Sequence, residues 1–285
     1  MTRVAVLGPG RVGTTLALAL PEPAYEVVAV AGRSPGSVAA FRVRVPGAAE
    51  LSAAEAARAA DLVLVTVGDD ELVGLVRAVA AADGVAEGSR WVHTAGGYGH
   101  EVLEPAALAG AAAAACHPAQ TFPDVDTALA GLPGSSWAVT AAEADLRWAR
   151  VLVTDLRGSP VTVGSANRTL YHAGLAVGAN ATVSVVTLAR DLLLGAGVRD
   201  PAAFLGPLVT TSASGAATRG AAALTGPVRR GDVGTLDRHL HELADVLPEA
   251  LEPYVALARL ALTHARRAGL EPRRADAVAE RLDEV

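Results

Sequence analysis

Four segments of the chain carry residue types at spacings that could do chemistry. The first is Gly8-Pro9-Gly10-Arg11-Val12-Gly13, a GxGxxG turn. It follows an apolar β-branched run and precedes a helical one, the setting in which glycines let backbone approach a pyrophosphate. The helix start then offers its unpaired N–H groups to the phosphates. Gly8, Gly10, Arg11, Val12 and Gly13 are therefore expected to hold a dinucleotide. About 20 residues past such glycines an NAD site usually places Asp or Glu for the ribose 2′-hydroxyl. This chain has Ala31-Gly32-Arg33-Ser34 there, with no carboxylate to repel a phosphate. Arg33 can pair with a 2′-phosphate and Ser34 can donate to it, so NADP(H) is the expected cofactor. The competing reading of Arg33 is a solvated loop arginine.

The second segment is Cys116-His117-Pro118-Ala119-Gln120-Thr121-Phe122. A histidine held by a following proline, with an ordinary pKa of about 6.5, suits a proton donor. Gln120 would meet the substrate, and Cys116 reads as a small core residue. The third is a helix bearing Tyr171, His172 and Asn180. The spacing from His172 to Asn180 is a little over two turns, which puts them near one face about 12 Å apart. Polar groups on an otherwise apolar helix need partners, from a ligand or from neighbouring helices. The fourth is Leu224-Thr225-Gly226-Pro227-Val228-Arg229-Arg230-Gly231-Asp232. Arg229 and Arg230 could clamp a substrate carboxylate, or Arg229 could make a surface pair with Asp232. Two loops, 66–70 and 93–97, should add Gly68, Asp69 and Thr94 to the nicotinamide side, although Asp69 could equally be a helix N-cap. No metal site is expected: His239 and His241 sit two apart on a predicted helix and face different ways.

These residues need a scaffold, and the chain alternates short β-branched runs with helices over its first half. Strands are expected at 3–7, 26–31, near 48, at 62–67, 90–93 and 111–115. Helices are expected at 12–20, 35–43, 53–60 and 71–82. The run 62–67 is continuously apolar, as a strand buried on both faces should be. Such a βαβ series predicts a parallel sheet with right-handed crossovers. From Ser165 onward the pattern is helical, at 166–195, 201–224, 232–246 and 248–268, with 273–285 as a charged surface helix. The fold class is therefore an α/β Rossmann domain with a parallel sheet, followed by an all-α domain. The expected division is 1–163 for NADP binding and 164–285 for substrate binding and dimerisation.

Composition removes several alternatives. All 24 basic residues are arginine, so lysine Schiff-base chemistry, a Walker-type lysine and lysine-dependent dehydrogenase mechanisms are excluded. The net charge of −6, without a basic tail or stripe, weighs against a nucleic-acid partner. A single cysteine excludes an internal disulfide and fits a reducing compartment. Residues 1–24 resemble a signal peptide, but the Gly8–Arg11 turn breaks the apolar run. Residues 169–189 lack formal charge over about the length of a bilayer span, yet are built from Gly, Ala, Ser, Thr, His and Asn. A cytoplasmic protein without a membrane partner is expected. That uncharged helix has more apolar face than a small domain covers, which predicts a homodimer.

The order GPGRVG, HTAGG, HPAQTF, YHAGLAVGAN, LTGPVRRGD and LPEALEPYVALA resembles the bacterial family that joins a Rossmann-like domain to domain of unknown function 2520. The resemblance runs from about Val4 to Ala265. It implies membership of a broader group with a 6-phosphogluconate-dehydrogenase-like helical domain, which includes pyrroline-carboxylate reductase, ketopantoate reductase and prephenate dehydrogenase. It also implies an NADP-dependent oxidoreductase, dimeric through the helical domain. Several members of that group use a helix lysine four residues before an asparagine; here Ala176 stands at that distance from Asn180. The HP pair is similar to that of prephenate dehydrogenase, with His117 matching its histidine and Thr94 falling near its serine. The expectation is hydride transfer to or from a small carbonyl, hydroxyl or imine substrate carrying a carboxylate. His117 is the first choice for proton transfer and His172 the second, with Asn180 orienting substrate or ribose. The alternatives are a non-catalytic NADP(H) redox sensor and a prephenate-dehydrogenase-like enzyme.

Overall fold

The computed structural model describes every residue from Met1 to Val285. They form two compact units, Met1–Ala179 and Asn180–Val285. The first holds strands β1 (Thr2–Leu7), β2 (Tyr25–Ala31), β3 (Ala49–Glu50), β4 (Leu62–Val65), β5 (Arg90–His93), β6 (Ala112–Pro118), β7 (Ser136–Ala141) and β8 (Ser159–Thr162). They make one eight-stranded sheet in the order β3-β2-β1-β4-β5-β6-β7-β8. Its helices are α1 (Arg11–Ala19), α2 (Pro35–Arg44), α3 (Ala53–Arg58), α4 (Asp69–Ala81), α5 (Glu104–Leu108), α6 (Val125–Gly131), α7 (Glu143–Asp155) and α8 (Arg168–Ala176).

The two-residue period of a strand explains how one sheet supports two cores. Val4, Val6, Leu62 and Leu64 point to one face, with Leu16 and Phe41 from the helices. Ala5, Leu7, Val63 and Val65 point to the other, with Leu72, Val76 and Trp91. Strands between two such layers must be apolar where both layers cover them, as Val4–Leu7 of β1 and all of β4 are. The alanine run of β6 would favour a helix in isolation, but tertiary context decides otherwise. Ala113 lies opposite the fully buried Trp91 of β5, so a small residue makes room for the indole.

One strand departs from the expected parallel sheet: β7 runs antiparallel to β6. The link between them contains only the seven-residue α6, which spans about 10 Å. A parallel crossover would have to return along a strand more than 20 Å long. The 13-residue α7 is long enough, and β8 returns parallel to β7.

The second unit holds α9 (Thr182–Gly195), α10 (Pro201–Arg219), α11 (Pro227–Arg230), α12 (Val233–Val246), α13 (Leu251–Arg267) and α14 (Pro272–Asp283). Its core gathers Leu236, Leu240, Val255, Leu262, Ala265 and Val278. The charged α14, expected as a surface helix, buries Ala275, Val278 and Leu282 on its inner face. In contrast, α9 buries no residue, and Val183, Phe204 and Leu208 are 68%, 62% and 62% exposed.

The units divide at Ala179–Asn180, inside the helical run, and Arg168 of α8 is wholly buried in the first unit. The helical run is also not one α-helix, since residues Val177–Ala181 form a π-helical turn. That turn breaks the regular spacing from which Asn180 was placed on the face of His172. The run Ser165–Gly195 is long and apolar enough to cross a membrane by length and composition.

Candidate active site

The strand order reverses between β2-β1 and β4-β5, so a crevice opens beyond the carboxyl ends of β1 and β4. Two loops meet there. Gly8 adopts φ +101°, and a Cβ on it would lie 2.8 Å from the backbone of Thr66 and Val67. A Cβ on Gly13 would lie 2.5 Å from both the Gly8 carbonyl and the Thr66 hydroxyl. Thr66 donates from Oγ1 to the Gly8 carbonyl at 2.7 Å, locking the loops together. The N-cap of α1 is Gly10, which offers no side chain, so the first N–H groups of the helix are left for a ligand.

Around this turn lies a cleft of about 720 Å³ lined by Gly8, Gly10, Arg33, Ser34, Thr66 and Glu71 among others. Its glycine cradle, helix terminus and arginine fit a dinucleotide. The site also differs from the sequence expectation in charge. Glu71, in the first turn of α4, forms an ion pair with Arg33. The carboxylate missing from the end of β2 is thus supplied from another element. Ser34 caps α2, its Oγ accepting from the Ser37 N–H at 3.3 Å. Asp69 is not an N-cap: it stands in the first turn of α4, behind the cap Gly68. Arg11 donates to the Pro123 carbonyl at 3.1 Å, and Val12 packs half-buried against the core.

At the carboxyl ends of β5 and β6 lies a cluster of rings. His117 belongs to β6 itself, not to the loop after it. Its Nδ1 is 2.9 Å from the Tyr171 hydroxyl. Its ring meets Tyr171 edge-on at 5.6 Å and His172 edge-on at 5.7 Å. Both histidines press on Gly96, where a Cβ would lie 2.5 Å from His172 Cδ2 and 2.9 Å from His117 Nε2. Glycine is required at 96 because any side chain would displace the two imidazoles. Thr94 lies half-buried in the same loop.

His93 sets the shape of that loop from within. Fully buried, it accepts the Ala95 N–H on Nδ1 at 3.2 Å, so Nε2 carries the proton and donates to the Gly99 carbonyl at 2.8 Å. Burial pushes its pKa down to about 4, against the hydrogen bond to Gly99 that favours the charged form. Burial, with the charge of Arg168 and then His172 and His93, also pushes His117 to about 4. Cys116 is buried, and desolvation raises its thiol to about 12, which suits a core residue.

Beneath the rings lies Arg168, which sequence reasoning did not single out. It donates from Nε to the Tyr98 carbonyl at 2.8 Å and from Nη1 to the Ala138 carbonyl at 3.4 Å. Its guanidinium lies 5.8 Å over the Tyr171 ring, and its buried Nη2 has no partner. The available signal was a lone arginine three residues before Tyr171 on an otherwise uncharged helix.

The remaining predicted residues have their own surroundings. Gln120 donates from Nε2 to the Ala128 carbonyl at 2.6 Å. Asn180 is exposed and lies in the second unit. Arg229 donates to the Ala268 carbonyl at 3.2 Å, and Arg230, not Arg229, approaches Asp232, at 3.9 Å. With Arg274 they line an open cleft of about 730 Å³ within the helical unit. No group of three or more His, Cys, Asp or Glu side chains is placed to hold a metal ion.

The depressed histidines make stability depend on pH. Between about pH 6.5 and pH 4 the unfolded chain takes up protons that folded His93 and His117 do not. Their contribution is complete above that window and is lost as pH falls through it. Urea unfolding at pH 7, 6 and 5 should show this decline, and His93→Gln should flatten it. A wild-type stability that is level across the window would contradict the assignment.

Residues 1–118 match a Rossmann-like domain and residues 135–261 match a domain of unknown function, DUF2520. No curated protein matches the chain. Among solved structures, BF3122 from Bacteroides fragilis, a proposed NADP oxidoreductase, is 24% identical with a TM-score of 0.75. That likeness covers 91% of this chain and 97% of the other. Protein TM1727 from Thermotoga maritima is 19% identical with a TM-score of 0.70, covering 93% and 99%. An imine reductase from Myxococcus stipitatus, solved with NADP+, is 17% identical with a TM-score of 0.65, covering 94% and 95%. These likenesses establish a shared fold. With both halves matched in order, the chain belongs to the family that joins a Rossmann-like domain to DUF2520.

Proposed function

We propose that this protein is an NADP(H)-dependent oxidoreductase acting on a small carbonyl, hydroxyl or imine substrate. The observation that carries the reading is the placement of two unlike sites along one sheet edge. A glycine cradle lies beyond β1 and β4, and the ring cluster His117–Tyr171–His172 lies at the ends of β5 and β6. The NADP+ in the Myxococcus stipitatus structure supports the choice of cofactor. When bound, the cofactor supplies or accepts hydride. The α1 terminus would hold its pyrophosphate, Arg33 and Ser34 its 2′-phosphate, and Gly68 and Thr94 would border the nicotinamide side. His117 would act on the proton at the substrate's oxygen or nitrogen, with His172 beside it.

The cofactor choice is testable directly. NADPH should bind at least about tenfold more tightly than NADH, roughly 1.4 kcal/mol. Arg33→Asp should reverse the order in calorimetry, and equal affinities in the wild-type protein would refute it.

Turnover should be sought as NADPH oxidation over a panel of 2-keto acids, small ketones and cyclic imines. His117→Ala should lower kcat by about 10²–10⁴-fold and leave NADPH affinity within about threefold. A variant that is less stable but equally active per folded molecule would reduce His117 to a packing role.

We also place a second copy of the chain on the face of α9 and α10, where Val183, Phe204 and Leu208 are open. An obligate interface of more than about 2,000 Å² is expected. Light scattering at micromolar concentration should give a dimer for the wild type and a monomer for Phe204→Asp. A monomeric wild type would exclude it.

A further inference from the structure

Resting on that reading, we propose that Tyr171 and Arg168 hold His117 as a neutral imidazole presenting Nε2–H, with Tyr171 as the proton reservoir behind the ring. The polarity follows from the pair itself. A phenol O–H is a far stronger donor than a neutral imidazole N–H, and imidazole nitrogen is the better acceptor. Across the 2.9 Å contact Tyr171 therefore donates and Nδ1 accepts. The ring proton then resides on Nε2, since one nitrogen's hydrogen bond sets the state of the other. That nitrogen lies against Gly96, where a Cβ would come within 2.9 Å of it, so the absence of a side chain at 96 leaves the nitrogen its place.

The charges facing His117 oppose an imidazolium. From α8 they are the buried Arg168, with His172 and the neutral Tyr171. From the end of β5 there is His93, already committed to two backbone partners. On β6 itself there is the buried thiol of Cys116. Glu101, in the turn after β5, is the carboxylate whose charge acts on Arg168 and His93, but it forms no ion pair with either. A charged ring would therefore sit near a guanidinium that no salt bridge neutralises. A neutral histidine donating to a developing oxyanion is an established device for such sites.

This arrangement also accounts for the buried arginine. In the reduction direction hydride reaches the substrate carbon from reduced nicotinamide, and the π pair of C=O or C=N moves onto the heteroatom. The heteroatom takes the Nε2 proton while Nδ1 takes the phenolic proton of Tyr171. The electron pair of the broken O–H bond stays on Tyr171 as phenolate, beneath which lies the Arg168 guanidinium. Solvent then returns one proton to Nε2 as Nδ1 gives its proton back to the phenolate, which restores the starting tautomer. Oxidation runs the same transfers backward. Arg168 thus has no salt-bridged carboxylate and faces instead the ring on which an anion forms during turnover.

Ring ¹⁵N NMR on histidine-labelled protein tests this without knowledge of the substrate. The protein is examined with NADP+ between pH 5 and 9, with His117→Gln identifying the resonance. In the wild type His117 should show protonated Nε2 alone, unchanged over the range. Tyr171→Phe should let the Nδ1–H form appear. Arg168→Gln, still able to reach the two carbonyls, should raise the proton affinity of His117 by about tenfold. A wild-type midpoint near 6.5, or an Nδ1–H ring, would overturn the proposal, and these two readings stand even if a variant does not fold. An unaltered tautomer in folded Tyr171→Phe would remove Tyr171 from the relay, and a ring with no more imidazolium at pH 5 than the wild type in folded Arg168→Gln would remove Arg168. Calorimetry with NADPH is a separate arm: absence of binding would defeat the oxidoreductase reading and leave the tautomer result intact.

Discussion

The ring cluster of the first unit is built around one buried cation. Arg168 enters the first unit from the start of α8 and gives hydrogen bonds to two carbonyls, one in the loop after β5 and one in β7. Both acceptors are neutral, so the desolvated guanidinium is held by dipoles and by the face of Tyr171 instead of by a carboxylate. Burying an unpaired charge is costly, and a fold keeps such a group only where its surroundings are otherwise over-determined. Here they are. The guanidinium ties the loop 93–99 to the sheet and lies over Tyr171 of α8, which meets His117.

Around that cation the loop after β5 is rigid for reasons of its own. His93 is consumed by two backbone bonds, which fixes where Gly96 lies and hence where His117 and His172 can lie. Three histidines are close in space, yet their tasks differ through hydrogen bonding alone. One shapes backbone, one is held by a phenol, and one packs edge-on against its neighbour. Burial keeps the first two neutral: a charged ring would lose water and meet a repelling guanidinium, which for His93 outweighs the Gly99 carbonyl and Glu101 that favour the charge.

The cofactor cleft obeys a different constraint, that of close approach. Gly8 and Gly13 are both pressed against the β4 loop, and Thr66 closes the contact. This couples the phosphate turn to the strand next to β5, so cradle and ring cluster belong to one sheet edge. Glu71 adds a counterweight: a 2′-phosphate at Arg33, as proposed, would displace an exposed ion pair, a modest cost given how little exposed pairs contribute.

Much of this architecture was legible in the chain. Continuous apolar strands, the glycine turn and the absence of lysine determined the fold class and excluded several chemistries. Local periodicity also showed a helical second half, since 3.6-residue patterning needs no distant partner to be read. Tertiary structure alone decided what depends on residues far apart in sequence. Glu71 meets Arg33 only when β2 and β4 are aligned, and His117 meets Tyr171 only when α8 crosses β6. The antiparallel β7 follows from the reach of a short helix, and the unit boundary falls inside a helical run that local periodicity reads as continuous. Periodicity records which face of an element is apolar. It carries no record of which polar groups that face will bring together, and the states of His93 and His117 are set by those meetings.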